Sequence, residues 1–323
     1  MKGSTLLSFV ALAIAADAQG ATYTLSSSLS GQAFLNAFEW QAIADPTNGR
    51  VNYVSQTTAQ ADGLYSVSGS SVTLRADDTT VLDASVSILH TCLKVAELGP
   101  LFGMLRYFPE ESHLHGFPSF SFLIAGKSVP IGQMRLAVGE VDIVEGVNDQ
   151  SPNQSTLHTS ANCTMPTDRT MTGTSEGTNC DVNETNNSGC GVAIADDNSY
   201  GPDFNGIGGG WYAIERSATY ISIYFWERGS SSVPSEVSTP GNTVDTSTWG
   251  EPAAYFPSTD CDFSTHFGPH NIIINLTFCG DWAGNSAVYA ASACPSTCVD
   301  YVNANPTAFT DAYFEFNSLN IYE

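Results

Sequence analysis

The sequence predicts an all-β protein: a jelly-roll sandwich of two antiparallel sheets with a concave substrate cleft. Three observations lead there. Short runs with a period of two recur along the chain, and Gly, Pro, Ser and Asn fill the intervals between them. Long helical periods do not appear. Charged residues are only 13% of the chain, below the ~25% typical of soluble domains. Thr, Ser and Asn take their place, which suits solvated strand faces and turns better than helices.

Taken in order, the chain starts with Lys2, an apolar stretch from Leu6 to Ala16, and then Ala16-Asp17-Ala18-Gln19. This pattern predicts a secretory signal peptide over 1–18 and an extracellular protein. The apolar run is too short to span a bilayer, and no later segment reads as a membrane helix. Residues 19–323 read as one domain, since sandwiches reach ~200–250 residues or more as a single unit. Strand signals fall at 49–55, 65–74, 138–147, 156–159, 211–228, 271–278 and 313–322. In the run Tyr220 to Trp226, alternation sends Ile221, Ile223 and Phe225 to a core and turns Tyr220, Tyr224 and Trp226 the other way. Residues 229–260 read as a long surface loop. The tail, from Ala312 to Glu323, reads as a strand paired into a sheet.

The formal net charge is -23. Nucleic acid and anionic membranes are therefore excluded as expected partners, because neither finds a basic surface. A monomer is expected. Eight cysteines, Cys92, Cys163, Cys180, Cys190, Cys261, Cys279, Cys294 and Cys298, suit disulfides in an oxidising compartment. Cys180 and Cys190 flank a polar loop, and Cys294 and Cys298 flank Pro-Ser-Thr. Cys261, His266 and His270 have a spacing that resembles part of a metal site, but the rest of a ligand set is missing, so no metal and no cofactor are expected. Glycosylation sequons occur at Asn153, Asn162, Asn183, Asn186 and Asn275; the first four fall in a polar stretch, 150–190, that reads as exposed loop.

The chemistry is concentrated in Gly139-Glu140-Val141-Asp142-Ile143-Val144-Glu145-Gly146-Val147-Asn148-Asp149. Residues two apart on a strand share a face, so Glu140 and Asp142 project together while Val141 and Ile143 enter the core. Strict alternation would bury Glu145, at a cost for an ionised carboxylate. A β-bulge at Ile143-Val144 shifts the phase and brings all three acids to one face. Clustered carboxylates repel, so at least one is expected to hold a proton near neutral pH. Glycoside hydrolysis needs that pairing: an ionised carboxylate to attack the anomeric carbon and a protonated one to serve the leaving oxygen, ~5–5.5 Å apart in retaining enzymes. Three acids on an exposed strand also fit a plain solvated face or a cation site.

The E-V-D-I-V-E-G-V-N-D motif resembles the catalytic strand of glycoside hydrolase family 16, in its fungal endo-β-1,3(4)-glucanase, laminarinase-like branch. The spacing E-x-D-x-x-E carries the bulge that the lichenase branch lacks. The likeness extends to Asp45-Pro-Thr-Asn-Gly-Arg-Val-Asn-Tyr-Val54, Ser155-Thr-Leu-His-Thr-Ser160, Gly210-Trp-Tyr-Ala-Ile-Glu215, Phe225-Trp-Glu-Arg228, Asn275-Leu-Thr-Phe-Cys-Gly-Asp-Trp-Ala283 and the C-terminal strand. It covers about 22–82 and 139–323. The resemblance implies Glu140 as nucleophile, Asp142 as its helper and Glu145 as acid/base. It also implies His158 beside the cleft and Trp282 as a platform for a glucosyl ring, whose C–H face stacks on aromatics. Trp211 and Trp226 fit either cleft or core.

Residues 84–138 depart from the pattern. They contain no Asp, Asn or Trp, yet hold Lys94, Arg106, Lys127 and Arg135, four of the ten basic residues. The family's P-A-F-W and G-P-N-W-P elements are replaced by Phe117-Pro-Ser-Phe-Ser-Phe122 and Ser128-Val-Pro-Ile-Gly-Gln-Met-Arg135. Codons for V-G-P-N-W-P-N-A, read one base out of frame, give S-V-P-I-G-Q-M-R. The window is therefore expected to be partly mis-spliced or out of frame, and the chain as written to be poorly active or misfolded.

The function expected is secreted, retaining hydrolysis of β-1,3 or mixed β-1,3/1,4 glucan. A cell-wall glucan transglycosylase and an inactive sugar-binding relative are the alternatives. No Gly-x-Ser-x-Gly elbow and no phosphate loop supports a serine hydrolase or a nucleotide enzyme.

Overall fold

The computed structural model describes residues 20–45, 48–83 and 139–323, and the backbone of four strands inside 84–138: Ile88–His90, Leu93–Val95, Phe102–Tyr107 and Pro118–Gly126. The expected signal peptide and the segment Ser128 to Arg135 lie outside the described residues. Among the described residues, the strands form two large antiparallel sheets of nine and eight strands, and one small parallel pair, Val51–Tyr53 with Ile88–His90.

The front sheet runs in the order Thr174–Ser175, Cys190–Ala193, Gln154–His158, Glu140–Val147, Pro118–Gly126, His270–Phe278, Leu93–Val95, Phe38–Trp40. The back sheet runs Thr243–Asp245, Thr22–Leu29, Tyr313–Tyr322, Phe102–Tyr107, Gly210–Arg216, Tyr220–Glu227, Ala254–Pro257. The hairpin Tyr65–Ser68 and Ser71–Arg75 hangs on Tyr313–Tyr322. The expected all-β sandwich is what forms. The longest helices among the described residues, Gly31–Ala37 and Cys298–Ala304, have 7 residues each.

The two sheets share one core because each alternating strand sends its apolar set inward. Val141, Ile143, Leu157 and Val192 of the front sheet meet Tyr212, Ile214, Ile221, Ile223, Phe316, Leu319 and Ile321 of the back sheet, all buried. Two of the longer expected strands are hairpins. The 65–74 run turns at Gly69-Ser70, where Gly69 takes φ +61°, a conformation open to residues without a Cβ. The 211–228 run turns at Ser217 to Thr219, where the Ser217 hydroxyl accepts from the Thr219 and Tyr220 amides and so replaces ladder bonds.

The 229–260 segment is more than a surface loop. Thr243–Asp245 adds to the edge of Thr22–Leu29, and Ala254–Pro257 pairs with Tyr220–Glu227. Val237, Val244 and Trp249 from this segment are buried over Trp211, Tyr224 and Trp226 on the outer face of the back sheet. Their spacing of seven and five residues follows no regular period, which hid them in the sequence. Trp211 and Trp226 are thereby core residues, on the sheet that does not carry the acids.

The described residues hold three disulfides: Cys163–Cys261, Cys180–Cys190 and Cys279–Cys298. Cys298 thus pairs across to Cys279 and not to its near neighbour Cys294, which keeps its thiol. Cys92 lies outside the described residues. No helix among the described residues is long and apolar enough to cross a membrane.

Candidate active site

Glu140–Val147 lies near the middle of the front sheet, between Pro118–Gly126 and Gln154–His158. Its register shows the extra residue. Glu140 faces His158 and Asp142 faces Thr156, but Glu145 then faces Gln154, so three steps on one strand match two on the other. The Pro118–Gly126 side shifts within the same stretch, between Asp142 and Val144. The bulge therefore sits where the motif predicts it, with Ile143 and Val144 both packed into the core. Glu140, Asp142 and Glu145 share the opposite face.

Burial differs among the three acids. Glu140 and Asp142 are buried, whereas Glu145 is half-buried. The His158 Nε2 lies 3.2 Å from Asp142 Oδ2. Gly189, which takes φ +61°, leaves room beside the imidazole; a Cβ there would lie 2.5 Å from the Leu157 carbonyl and 2.9 Å from His158 Nδ1. A glycine at that position, in the loop closed by Cys180–Cys190, is a condition for the histidine's placement. In the sequence this glycine is only part of the polar loop that Cys180 and Cys190 flank. Ligand atoms of Asp142, Glu145 and His158 lie within 4.8 Å of one another. That spacing lets one ion bridge them, and equally lets carboxylates share a proton.

Two polar side chains brace the bulge. The Asn153 carboxamide donates from Nδ2 to the Ile143 carbonyl at 3.0 Å, and its Oδ1 accepts from the Glu145 amide at 2.9 Å. The Ser155 hydroxyl donates to the same Ile143 carbonyl at 2.9 Å. Asn153 and Ser155 are both fully buried. This corrects one expectation: Asn153 is no exposed sequon. Asn275 is buried too, in the middle of His270–Phe278. Asn162, Asn183 and Asn186 are exposed, as expected.

Trp282 is half-buried on the one-turn helix Gly280–Ala283. Both flanks of that turn are anchored. The buried Asn148 donates from Nδ2 to the Ala283 carbonyl at 3.1 Å, tying it to the turn that follows the acid strand. Asn48 donates to both Asp281 oxygens at 3.1 Å. The indole thus belongs to a platform fixed to the end of Glu140–Val147. The metal-like trio dissolves: Cys261 is in a disulfide, His266 Nδ1 meets the Ser160 hydroxyl at 3.3 Å, and Arg216 lies 3.1 Å from His270 Nδ1.

Register also reveals polar neighbours that the sequence concealed. Thr156 and Gln154 stand opposite Asp142 and Glu145. Asn271 stands in the row of Glu140, and Asn275 in that of Glu145, one strand further over. Asn271 escaped notice, and Asn275 read only as a sequon, because the Ile272-Ile273-Ile274 run between them masks the alternation of a strand whose residues are all buried.

Comparisons with known proteins identify the family of the chain. A family model described as XgeA-like, catalytic GH16 domain matches residues 131–322. A probable endo-1,3(4)-beta-glucanase of Neosartorya fischeri is 37% identical over 336 residues, 99% of this chain and 49% of that protein. The chain thus spans about half the length of this curated relative. Among solved structures, GH16 Laminarinase 16A from Phanerochaete chrysosporium, with beta-glucans in donor and acceptor sites, is 46% identical with a TM-score of 0.87, covering 94% of this chain and 100% of that one. An elongating GH family 16 beta-1,3-glucosyltransferase is 34% identical with a TM-score of 0.82, covering 93% and 100%. The chain belongs to glycoside hydrolase family 16.

Proposed function

We propose that this protein is a retaining endo-β-glucanase that cleaves β-1,3 or mixed β-1,3/1,4 glucan by double displacement. The observation that carries the reading is the bulge, which puts Glu140, Asp142 and Glu145 on one face of the front sheet. Glu140 attacks the anomeric carbon while Glu145 protonates the departing glycosidic oxygen, leaving a glycosyl ester on Glu140. Glu145 then takes a proton from water, which displaces Glu140 and restores both groups. Asp142, between the two and 3.2 Å from His158 Nε2, orients the nucleophile. Trp282 offers its indole to a glucosyl ring. The laminarinase and the glucanase named above support the substrate class. Three disulfides support passage through an oxidising compartment and a secreted protein.

The test is reducing-end release from laminarin, with the anomeric configuration of the first product followed by NMR. Retention with new reducing ends supports the reading; inversion, or binding without cleavage, refutes it. Transglycosylation is a second reading, favoured by the likeness to a glucosyltransferase. In that case a sugar hydroxyl replaces water and products longer than the substrate accumulate.

A further inference from the structure

We infer that Asn153 and Ser155 are positioning residues for Glu145, acting through the backbone of the bulge. The inference rests on the reading of Glu145 as acid/base. A β-bulge removes one residue from ladder pairing and leaves its peptide groups to find other partners. Here the unmatched stretch is Ile143-Val144, between the paired residues Asp142 and Glu145. The Ile143 carbonyl receives Asn153 Nδ2 and the Ser155 hydroxyl, at 3.0 and 2.9 Å. The Glu145 amide goes to Asn153 Oδ1 at 2.9 Å. One carboxamide thus stands in for a peptide group and spans Val144, from the carbonyl before it to the amide after it.

The clamp is itself fixed. The Asn153 amide donates to the Ser199 hydroxyl at 2.9 Å, and its carbonyl accepts from Ile194 at 2.9 Å. Both polar atoms of the side chain are used and the residue has no exposed surface. Without these bonds, the phase of the strand after Ile143 is held from the Pro118–Gly126 side alone, and a slip of one residue moves a side chain to the other face. For Glu145 the other face is the core. Asn153 therefore secures, from the Gln154–His158 side, the face that carries the carboxylate. The sequon reading, Asn-Gln-Ser, picked out the two residues of this clamp for an unrelated reason.

The test compares Asn153→Ala and Ser155→Ala with the parent chain on two substrates. One is a laminarin oligosaccharide, whose leaving group needs a proton. The other is a 2,4-dinitrophenyl β-glycoside of the same sugar, whose leaving group does not. Pre-steady-state dinitrophenolate release gives a rate constant independent of the folded fraction. Asn153→Ala is expected to lower glucan turnover about 10- to 100-fold, as for a misplaced catalytic group, while the dinitrophenolate burst stays near the parent rate. Ser155→Ala, which leaves both Asn153 bonds intact, is expected to show a smaller split in the same direction and serves if Asn153→Ala does not fold. Equal losses on both substrates, or no loss in folded variants, overturn the inference. Exchange of the Glu145 amide separates the two readings. It is expected to be slow in the parent and fast in Asn153→Ala, even if the parent cleaves neither substrate and the acid/base reading fails. Unchanged exchange sinks the clamp.

Discussion

Asp149, just past the acid strand, shows how one residue's surroundings set a pH response. Burial, and then the Asp203 carboxylate, push its carboxyl from the ordinary range up to about 7. Unfolded, an aspartate releases its proton near pH ~4. Between the two values the folded chain holds a proton that the unfolded chain has lost, so this group makes stability fall as pH rises from about 4 to 7. Asp149→Asn is therefore expected to melt higher than the parent at pH 8 and to converge with it near pH 4, which thermal unfolding across that range checks. Glu215 is the opposite case, a buried acid that organises its neighbours. Its Oε1 accepts from the Tyr23, Tyr220 and Thr246 hydroxyls at 2.8, 2.9 and 2.9 Å, joining the first strand, the back sheet and the segment that covers it. Burial, with Glu215 as a further cause, holds the Tyr23 and Tyr220 phenols well above their usual range. Glu215→Gln keeps an acceptor oxygen; Glu215→Leu removes the acceptor that three hydroxyls share. The leucine variant is expected to lose at least about 1–3 kcal/mol in denaturant melts, the cost of one unmet buried polar group, and the glutamine variant far less.

At the scale of the element, the proposed mechanism divides labour between two carboxylates of the acid strand. Glu140→Gln is expected to abolish glucan turnover with the fold intact, because an amide cannot attack the anomeric carbon. Glu145→Gln is expected to cost about 100- to 10,000-fold on glucan, the usual worth of general acid catalysis, and much less with a leaving group that needs no proton. Normal rates in both folded variants would remove the assignment. The strand itself was legible in the sequence because a bulge leaves a mark: an acid one position out of phase in an otherwise alternating run. Its support was not legible. Asn153 and Asn275 read as sequons, Gly189 sits unremarked in the polar loop between Cys180 and Cys190, and Asn271 vanishes into an apolar run. Each has neighbours eight to more than a hundred residues distant, and local period carries no record of that. The same limit hid the hairpins, since a two- or three-residue turn breaks alternation too briefly to be seen. It also hid the lid of Val237, Val244 and Trp249, whose burial depends on a sheet made elsewhere.

For the whole molecule, the atypical window 84–138 is central. Pro118–Gly126 pairs with the acid strand and with His270–Phe278, and Phe102–Tyr107 joins Tyr313–Tyr322 to Gly210–Arg216. A frame error there would act on the middle of both sheets. The chain as written is accordingly expected to turn over laminarin poorly beside a version restoring P-A-F-W and N-W-P. Sequencing the transcript across residues 80–140, with activity assays of both proteins, checks this; brisk activity of the chain as written would defeat it. Carbohydrate mapping of the exported protein is expected to find glycans among Asn162, Asn183 and Asn186 and none on Asn153 or Asn275.

The Cys163–Cys261 bond joins positions 98 residues apart and encloses the Cys180–Cys190 loop, the 210–227 hairpin and the segment over the tryptophans. With the secretion proposed above, the protein meets foreign proteases, whose cuts fall in exposed loops such as 183–188 or 229–242. Any single cut between the two cysteines leaves both pieces covalently joined, with the acids and Trp282 still on one molecule. Such nicked protein would migrate as one band without reductant and as two with it, and its loss of function would follow the reductant more closely than the protease.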